Sequence, residues 1–173
     1  GRLLEPERDE NGIPTPDSMK KNFEIIRKCN QMAGIKAMYT PGIGGIAEAV
    51  MKMCFGNSIG FRYADSITEK DIFSYSYGSF IIEVSDAIER KNLISELTEN
   101  ARILGRTEEE ATIFFGNEKI ALDDLLKVYN GKLEPVFPME TASVEKKTYE
   151  KLDYNKEFTR ISYSGPALNG AKP

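Results

Sequence analysis

Apolar positions along this chain recur with two different periods, and the changes of period fall at glycines and prolines. From Asp17 to Ala33, the residues Met19, Phe23, Ile25, Ile26, Cys29 and Met32 recur at three- and four-residue spacing. That spacing predicts an amphipathic helix with Asp17 or Ser18 as its cap, and Gly34 stands where helices commonly stop. Ile35–Tyr39, bounded by Gly34 and Pro41, predicts a short strand. A helix follows over Ile46–Cys54, with Ile46, Ala49, Val50 and Met53 on one face and Glu48 four residues before Lys52 on the other, in ion-pairing order. Gly56-Asn57 ends it.

Residues 59–63 predict a strand, and residues 71–79 an aromatic-rich connection with room for one helical turn. The run 80–84 is apolar enough for a strand buried on both faces. Ser85-Asp86 opens a helix to Asn100 with Ala87, Ile88, Leu93, Ile94 and Leu97 inward, and 101–106 predicts a further strand. ATIFF and EKIAL flank Gly116-Asn117 and predict a tight hairpin over 111–122 with positive φ at the glycine. A last helix over 123–129 carries Leu125, Leu126 and Val128. An order that mixes hairpin with crossover predicts an α+β domain, a mixed sheet of four or five strands with three or four helices packed on it. Residues 1–16, polar and proline-bearing, read as an extended lead-in; 17–141 as the domain; 142–173, charged and without period, as a tail or linker.

Composition narrows the chemistry. The 173 residues contain no histidine, which removes Ser-His-Asp and Cys-His nucleophiles and any His-ligated zinc site. No catalytic residue and no metal ligand set is identified, and there is no P-loop. A net charge of -4 and no Lys/Arg run longer than two argue against nucleic acid as a partner. No apolar run approaches the roughly 20 residues of a membrane span, so no membrane partner is expected and the chain reads as cytoplasmic. Cys29 and Cys54, both among apolar neighbours, read as reduced core thiols. Glu108-Glu109-Glu110 reads as a solvated turn rather than a metal site, and Tyr63, Tyr75 and Tyr77 as buried rings with wet hydroxyls rather than a ligand surface.

One stretch carries candidate chemistry. In YTPGIGGIAEAVMKMCFGNSIG, Tyr39 to Gly60, the glycines Gly42, Gly44 and Gly45 follow Pro41 directly before a helix. Such a turn exposes backbone N–H groups at a helix N-terminus and can hold a phosphate; equally, the glycines can serve only to pack strand against helix. Thr40, Gly42, Gly44 and Gly45 are the candidate phosphate- or nucleotide-facing residues, with Arg62 on the following strand as a candidate phosphate partner.

The same stretch resembles the glycine-turn-plus-helix segment in the C-terminal domain of the aminoimidazole ribonucleotide synthetase superfamily, where many members carry an HDV-x-x-GGL-type sequence. GGIAEAVMKMCFGNSIGF is most similar to the phosphoribosylformylglycinamidine synthase family in its long, single-chain form, and ILGRTEEEATIFFGNEKIALDDLLKVYNGKLEPVFPMETA continues in the corresponding order. The resemblance covers residues 18–142, and SGPALNGAKP resembles the linker before the glutaminase domain of that family, which makes the chain the second of two such domains.

The resemblance implies an α+β fold like the aminoimidazole ribonucleotide synthetase C-terminal domain. It further implies an ATP-dependent ligase of purine biosynthesis that converts formylglycinamide ribonucleotide to the amidine with ammonia from glutamine. ATP and Mg would be held mainly outside this chain, and its partners would be the preceding synthetase-like N-terminal domain and the following glutaminase domain of one polypeptide. Tyr39-Thr40-Pro41 stands where many members have His-Asp-Val, which removes an acid or base from the turn. An isolated chain is then expected to be inactive. The alternatives that stay open are a phosphate-facing loop in a ligase, a non-catalytic scaffold that docks the glutaminase domain, and a stand-alone phospholigand-binding module.

Overall fold

A computed structural model of the chain describes residues 1–86 and 95–139. By its contacts the chain divides into a unit over Gly1–Phe137 and a second over Pro138–Pro173. The expected tail, 142–173, and the middle of the helix expected over 85–100 lie outside the described residues.

The larger unit is α+β, as expected, but it is built on two four-stranded sheets where one was predicted. Its strands are β1 (Arg2–Leu4), β2 (Ile35–Tyr39), β3 (Gly60–Tyr63), β4 (Phe80–Val84), β5 (Ala101–Ile103), β6 (Gly105–Glu108), β7 (Thr112–Phe115) and β8 (Glu118–Ala121). The first sheet runs β2-β4-β1-β5 and is antiparallel throughout. The second runs β6-β3-β7-β8 and is mixed, since β3 pairs parallel with β7. The helices are α1 (Pro16–Cys29), α2 (Gly45–Phe55), α3 (Glu69–Phe73), α4 (Ser95–Asn100) and α5 (Leu122–Gly131).

Strand alternation assigns the two cores. Leu4 and Ile82 face α1 and join Ile25, Cys29, Phe80, Leu97 and Ala101; Leu3 and Ile81, one residue away, point to the opposite face. That second face packs on α2 through Ile46, Ala49, Val50 and Cys54, and α2 in turn meets Phe61, Tyr63 and Ile113 of the second sheet. The helix after the glycine turn is therefore held between the two sheets.

Three expectations are corrected. The lead-in is extended, but β1 lies between β4 and β5, and Leu3 and Leu4 are fully buried. Two leucines among polar residues are enough for a three-residue strand when both faces of the sheet are covered. Helix α1 starts earlier and ends earlier than predicted, with Thr15 as N-cap and Pro16 at the first position, where a missing N–H costs nothing. Its buried stripe is Ser18, Asn22, Ile25 and Cys29, while Phe23 is half exposed and meets Phe80 edge-on at 5.9 Å. Ser18 tolerates burial because its hydroxyl accepts from Thr15 Oγ1 (2.9 Å) and donates to the Thr15 carbonyl (3.0 Å).

The strand expected over 101–106 splits. β5 closes the first sheet and β6 opens the second, with the buried Leu104 between them, its N–H donating to the Gly1 carbonyl (2.9 Å). A Cβ on Gly105 would run into the Phe61 ring at 2.7 Å, so the crossing requires glycine. The hairpin β7–β8 and the positive φ of Gly116 (56°) are as predicted. In α5, Leu122 is buried, whereas Val128 is exposed and Leu126 partly so, because this helix covers only the edge of the second sheet.

Candidate functional site

The glycine turn joins β2 to α2. Gly45 has φ +67°, a conformation L side chains rarely adopt, and its N–H donates to the Gly42 carbonyl (3.1 Å). A Cβ there would sit 2.8 Å from the carbonyl oxygens of both Ile72 and Ser74, so the end of α3 abuts the turn. α3 is fixed in turn by a capping box: Asp71 N–H donates to Thr68 Oγ1 (3.3 Å) and Thr68 N–H to Asp71 Oδ2 (2.8 Å). The Thr68-x-x-Asp71 spacing was the available signal for this helix. Arg102 of β5 reaches Asp71 at 3.0 Å and Glu5 at 2.8 Å. The Thr68 hydroxyl, the Thr68 N–H and Arg102 together hold the Asp71 carboxyl down at about 2.

The amide expected to face a phosphate already has an acceptor. Gly44 N–H donates to Glu48 Oε2 (2.8 Å), and Glu48 Oε1 pairs with Lys52 Nζ at 2.6 Å. The Lys52 hydrogen bond, and then the Gly44 N–H, hold the Glu48 carboxyl below its usual range, while Glu48 raises Lys52. Lys52 also lies over the Tyr129 ring at 5.6 Å, which ties α2 to α5. The ion pair was predicted; its role as a carboxylate cap on the turn was not, although a carboxylate four residues into a helix from a glycine cap can fold back on that cap.

Gly44 and Glu48 open onto a cleft of about 680 Å³. Ala47 and Met51 of α2, Ile72 and Phe73 of α3, and Tyr63, Ile113 and Phe115 of the second sheet form its largely apolar wall. Thr40, Gly42 and Gly45 do not line it. With Glu48 in place the Gly44 amide already has its acceptor, and the carboxylate would repel a second anion at that amide.

Arg62 is not brought to the turn. It alternates with Phe61 and Tyr63, which point into the core, so its side chain lies on the outer face of the second sheet. There it pairs with Glu108 (2.8 Å) and lies 3.8 Å from the Phe114 ring centroid. Glu108, expected in a solvated turn, is the last residue of β6 and also pairs with Arg106 (3.2 Å).

Of the three tyrosines, Tyr63 is buried, while Tyr75 and Tyr77 are exposed and stacked at 5.9 Å. Neither cysteine forms a disulfide and both are buried, as expected, and burial pushes the Cys54 thiol up to about 11. Among the described residues, no group of three or more Cys, Asp or Glu is arranged to hold a metal ion, and no helix is long and apolar enough to cross a membrane.

No family model matches the chain. It is 28% identical over 134 residues to the phosphoribosylformylglycinamidine synthase subunit PurL of Pelagibacter ubique, covering 72% of this chain and 18% of that protein. Its identity to PurL of Thermococcus sibiricus is 29% over 120 residues, 63% of this chain and 16% of that one. The structure of Thermotoga maritima phosphoribosylformylglycinamidine synthase II superposes over 93% of this chain and 29% of its own, with a TM-score of 0.55 and 13% identity.

The fold is that of a phosphoribosylformylglycinamidine synthase domain. A second structure, Thermotoga maritima PurL complexed with FGAR, agrees at a TM-score of 0.53 and 12% identity over 87% of this chain and 25% of its own. The resemblance drawn from the glycine turn and its flanking sequence is thus matched both in sequence and in fold. The chain spans less than a fifth of the length of the curated relatives it matches.

Proposed function

We propose that this chain is one domain of a phosphoribosylformylglycinamidine synthase, the ATP- and glutamine-dependent ligase that converts formylglycinamide ribonucleotide to formylglycinamidine ribonucleotide in the cytoplasm. The observation that carries this reading is the coincidence of sequence similarity and shared fold with PurL over most of the chain. In this reading the ATP and Mg sites and the glutaminase nucleophile belong to neighbouring domains of the same enzyme. In this reading the chain contributes a wall: it has no histidine, and the carboxylate at the turn, Glu48, is held by the Gly44 amide and Lys52.

Thr40, Gly42, Gly44 and Gly45 then border the nucleotide or sugar-phosphate site of an adjoining domain. Of the four, Gly44 lines the cleft of about 680 Å³. Because Glu48 occupies its amide, the turn shapes that border through backbone and does not itself grip phosphate while the Glu48 bond stands. Isothermal titration of the longer enzyme with ATP, wild type against Gly44→Val, tests this. A Cβ at Gly44 would press into Glu48, so affinity or turnover should fall at least several-fold; unchanged values in both would refute a border role.

The occupied amide equally favours a second reading, a scaffold that docks the glutaminase domain without touching ligand. Removing residues 142–173 from the longer enzyme should then uncouple glutamine hydrolysis from amidine formation. Coupling left intact would exclude it.

A further inference from the structure

The outer face of the second sheet carries an arrangement that no part of the proposed function uses. The register sets Arg62 opposite Arg106 on one side and opposite Phe114 on the other, and Phe114 opposite Lys119. Paired residues on adjacent strands share a face, so Arg106, Arg62, Phe114 and Lys119 form one row across all four strands. At the usual strand spacing the row is roughly 14 Å long.

Its chemistry is defined by contacts within it. Arg62 lies flat on Phe114, 3.8 Å from the ring centroid, with its Nε 2.8 Å from Glu108 Oε1. Arg106 sends its own Nε to the same oxygen at 3.2 Å. One carboxylate therefore holds two guanidiniums in place through their Nε atoms, and the row keeps an excess of positive charge on a chain whose net charge is -4. Arg106 is 74% exposed in its side chain, and Lys119 is exposed as well. Within the row three cations stand against one carboxylate, which pairs with both arginines.

We propose that this row docks an extended, acidic segment of a partner protein, with carboxylates at every second position. An extended strand rises about 3.3 Å per residue, so side chains two and four residues apart fall at about 7 and 13 Å. That span matches the distance from Arg106 to Lys119, with the Arg62 guanidinium, laid over Phe114, between them. A single phosphate would satisfy one end of the row only. A nucleic-acid strand carries a charge at every nucleotide, so it is the competing polyanion that the test separates from a peptide.

The test is fluorescence anisotropy of the full chain with a labelled ten-residue peptide bearing Glu at alternate positions, at low salt. Competitors are inorganic phosphate and a single-stranded oligonucleotide. Saturable binding is expected, weakened about tenfold or more by Arg106→Glu and by Lys119→Glu. Lys20→Glu, which makes the same change in net charge on α1, away from this face, should leave affinity within twofold. Circular dichroism of each variant establishes that it is folded. The proposal is overturned if the peptide does not saturate, if Lys20→Glu weakens binding as much as Arg106→Glu does, or if phosphate or the oligonucleotide displaces the peptide at equal concentration.

Discussion

Gly45→Ala is the substitution whose cost can be worked from the structure. Two terms add. A non-glycine residue at φ +67° adopts the left-handed region at about 1–2 kcal/mol. Its Cβ would also stand 2.8 Å from two carbonyl oxygens, those of Ile72 and Ser74, where ordinary contact begins near 3.4 Å. Forcing α3 back costs about 1–3 kcal/mol, as for other overpacked sites. The reduced freedom of the unfolded chain returns roughly 0.4–1 kcal/mol, so the net loss is about 2–4 kcal/mol.

Gly12→Ala isolates the first term, since Gly12 has φ +78° and nothing within 4 Å of its Cβ position; it should cost about 1 kcal/mol or less. The assay is urea unfolding followed by circular dichroism, as the chain has no tryptophan. With a slope of about 2 kcal/mol per molar, the Gly45 variant should unfold about 1–2 M earlier than wild type and the Gly12 variant within about 0.5 M. Equal losses in the two variants would refute the claim that the end of α3 presses on the turn.

Two further outcomes follow from burial and charge. Leu4→Ala, at a fully buried position of β1, should cost about 2–5 kcal/mol by the same assay; a loss under about 1 kcal/mol would remove β1 from the core. Asp71 has a carboxyl lowered from 3.8 to about 2, so its contribution is present above pH 4 and lost as the pH falls toward 2. Asp71→Asn should therefore lower stability at pH 7 and flatten the acid limb between pH 4 and 2, and an unchanged acid limb would show that Thr68 and Arg102 do not hold this group.

The elements legible in the sequence are those whose ends are set locally. β2 lies between Gly34 and Pro41, the β7–β8 hairpin turns on Gly116-Asn117, and the Glu48–Lys52 pair follows from helical spacing alone. What was not legible depends on partners distant in sequence. Leu3 and Leu4 make a core strand because β4 and β5 flank them, and residues 101–108 divide because Leu104 must be buried between two sheets. Arg62 was read as a neighbour of the turn from its place in the chain. Parity with Phe61 and Tyr63 sends it to the other face, and parity can be used only once the buried face is known. Of the three turn glycines Gly45 takes the positive φ, and Glu48's occupation of the Gly44 amide needed side-chain geometry.

The position of β1 has a consequence for how the chain assembles. Leu3 pairs with Ile81 on one side and Arg102 on the other, so the first sheet is stitched together by residues roughly eighty and a hundred positions apart. During synthesis the N-terminal strand emerges long before either partner, and β2-β4 cannot be joined to β5 until the early segment threads between them. Closure over such long loops slows folding, and it makes the first few residues the final lock on the sheet. A cut between β1 and β2 before β5 leaves the exit tunnel would thus halve the sheet, whereas after closure β1 is a strand paired on both edges.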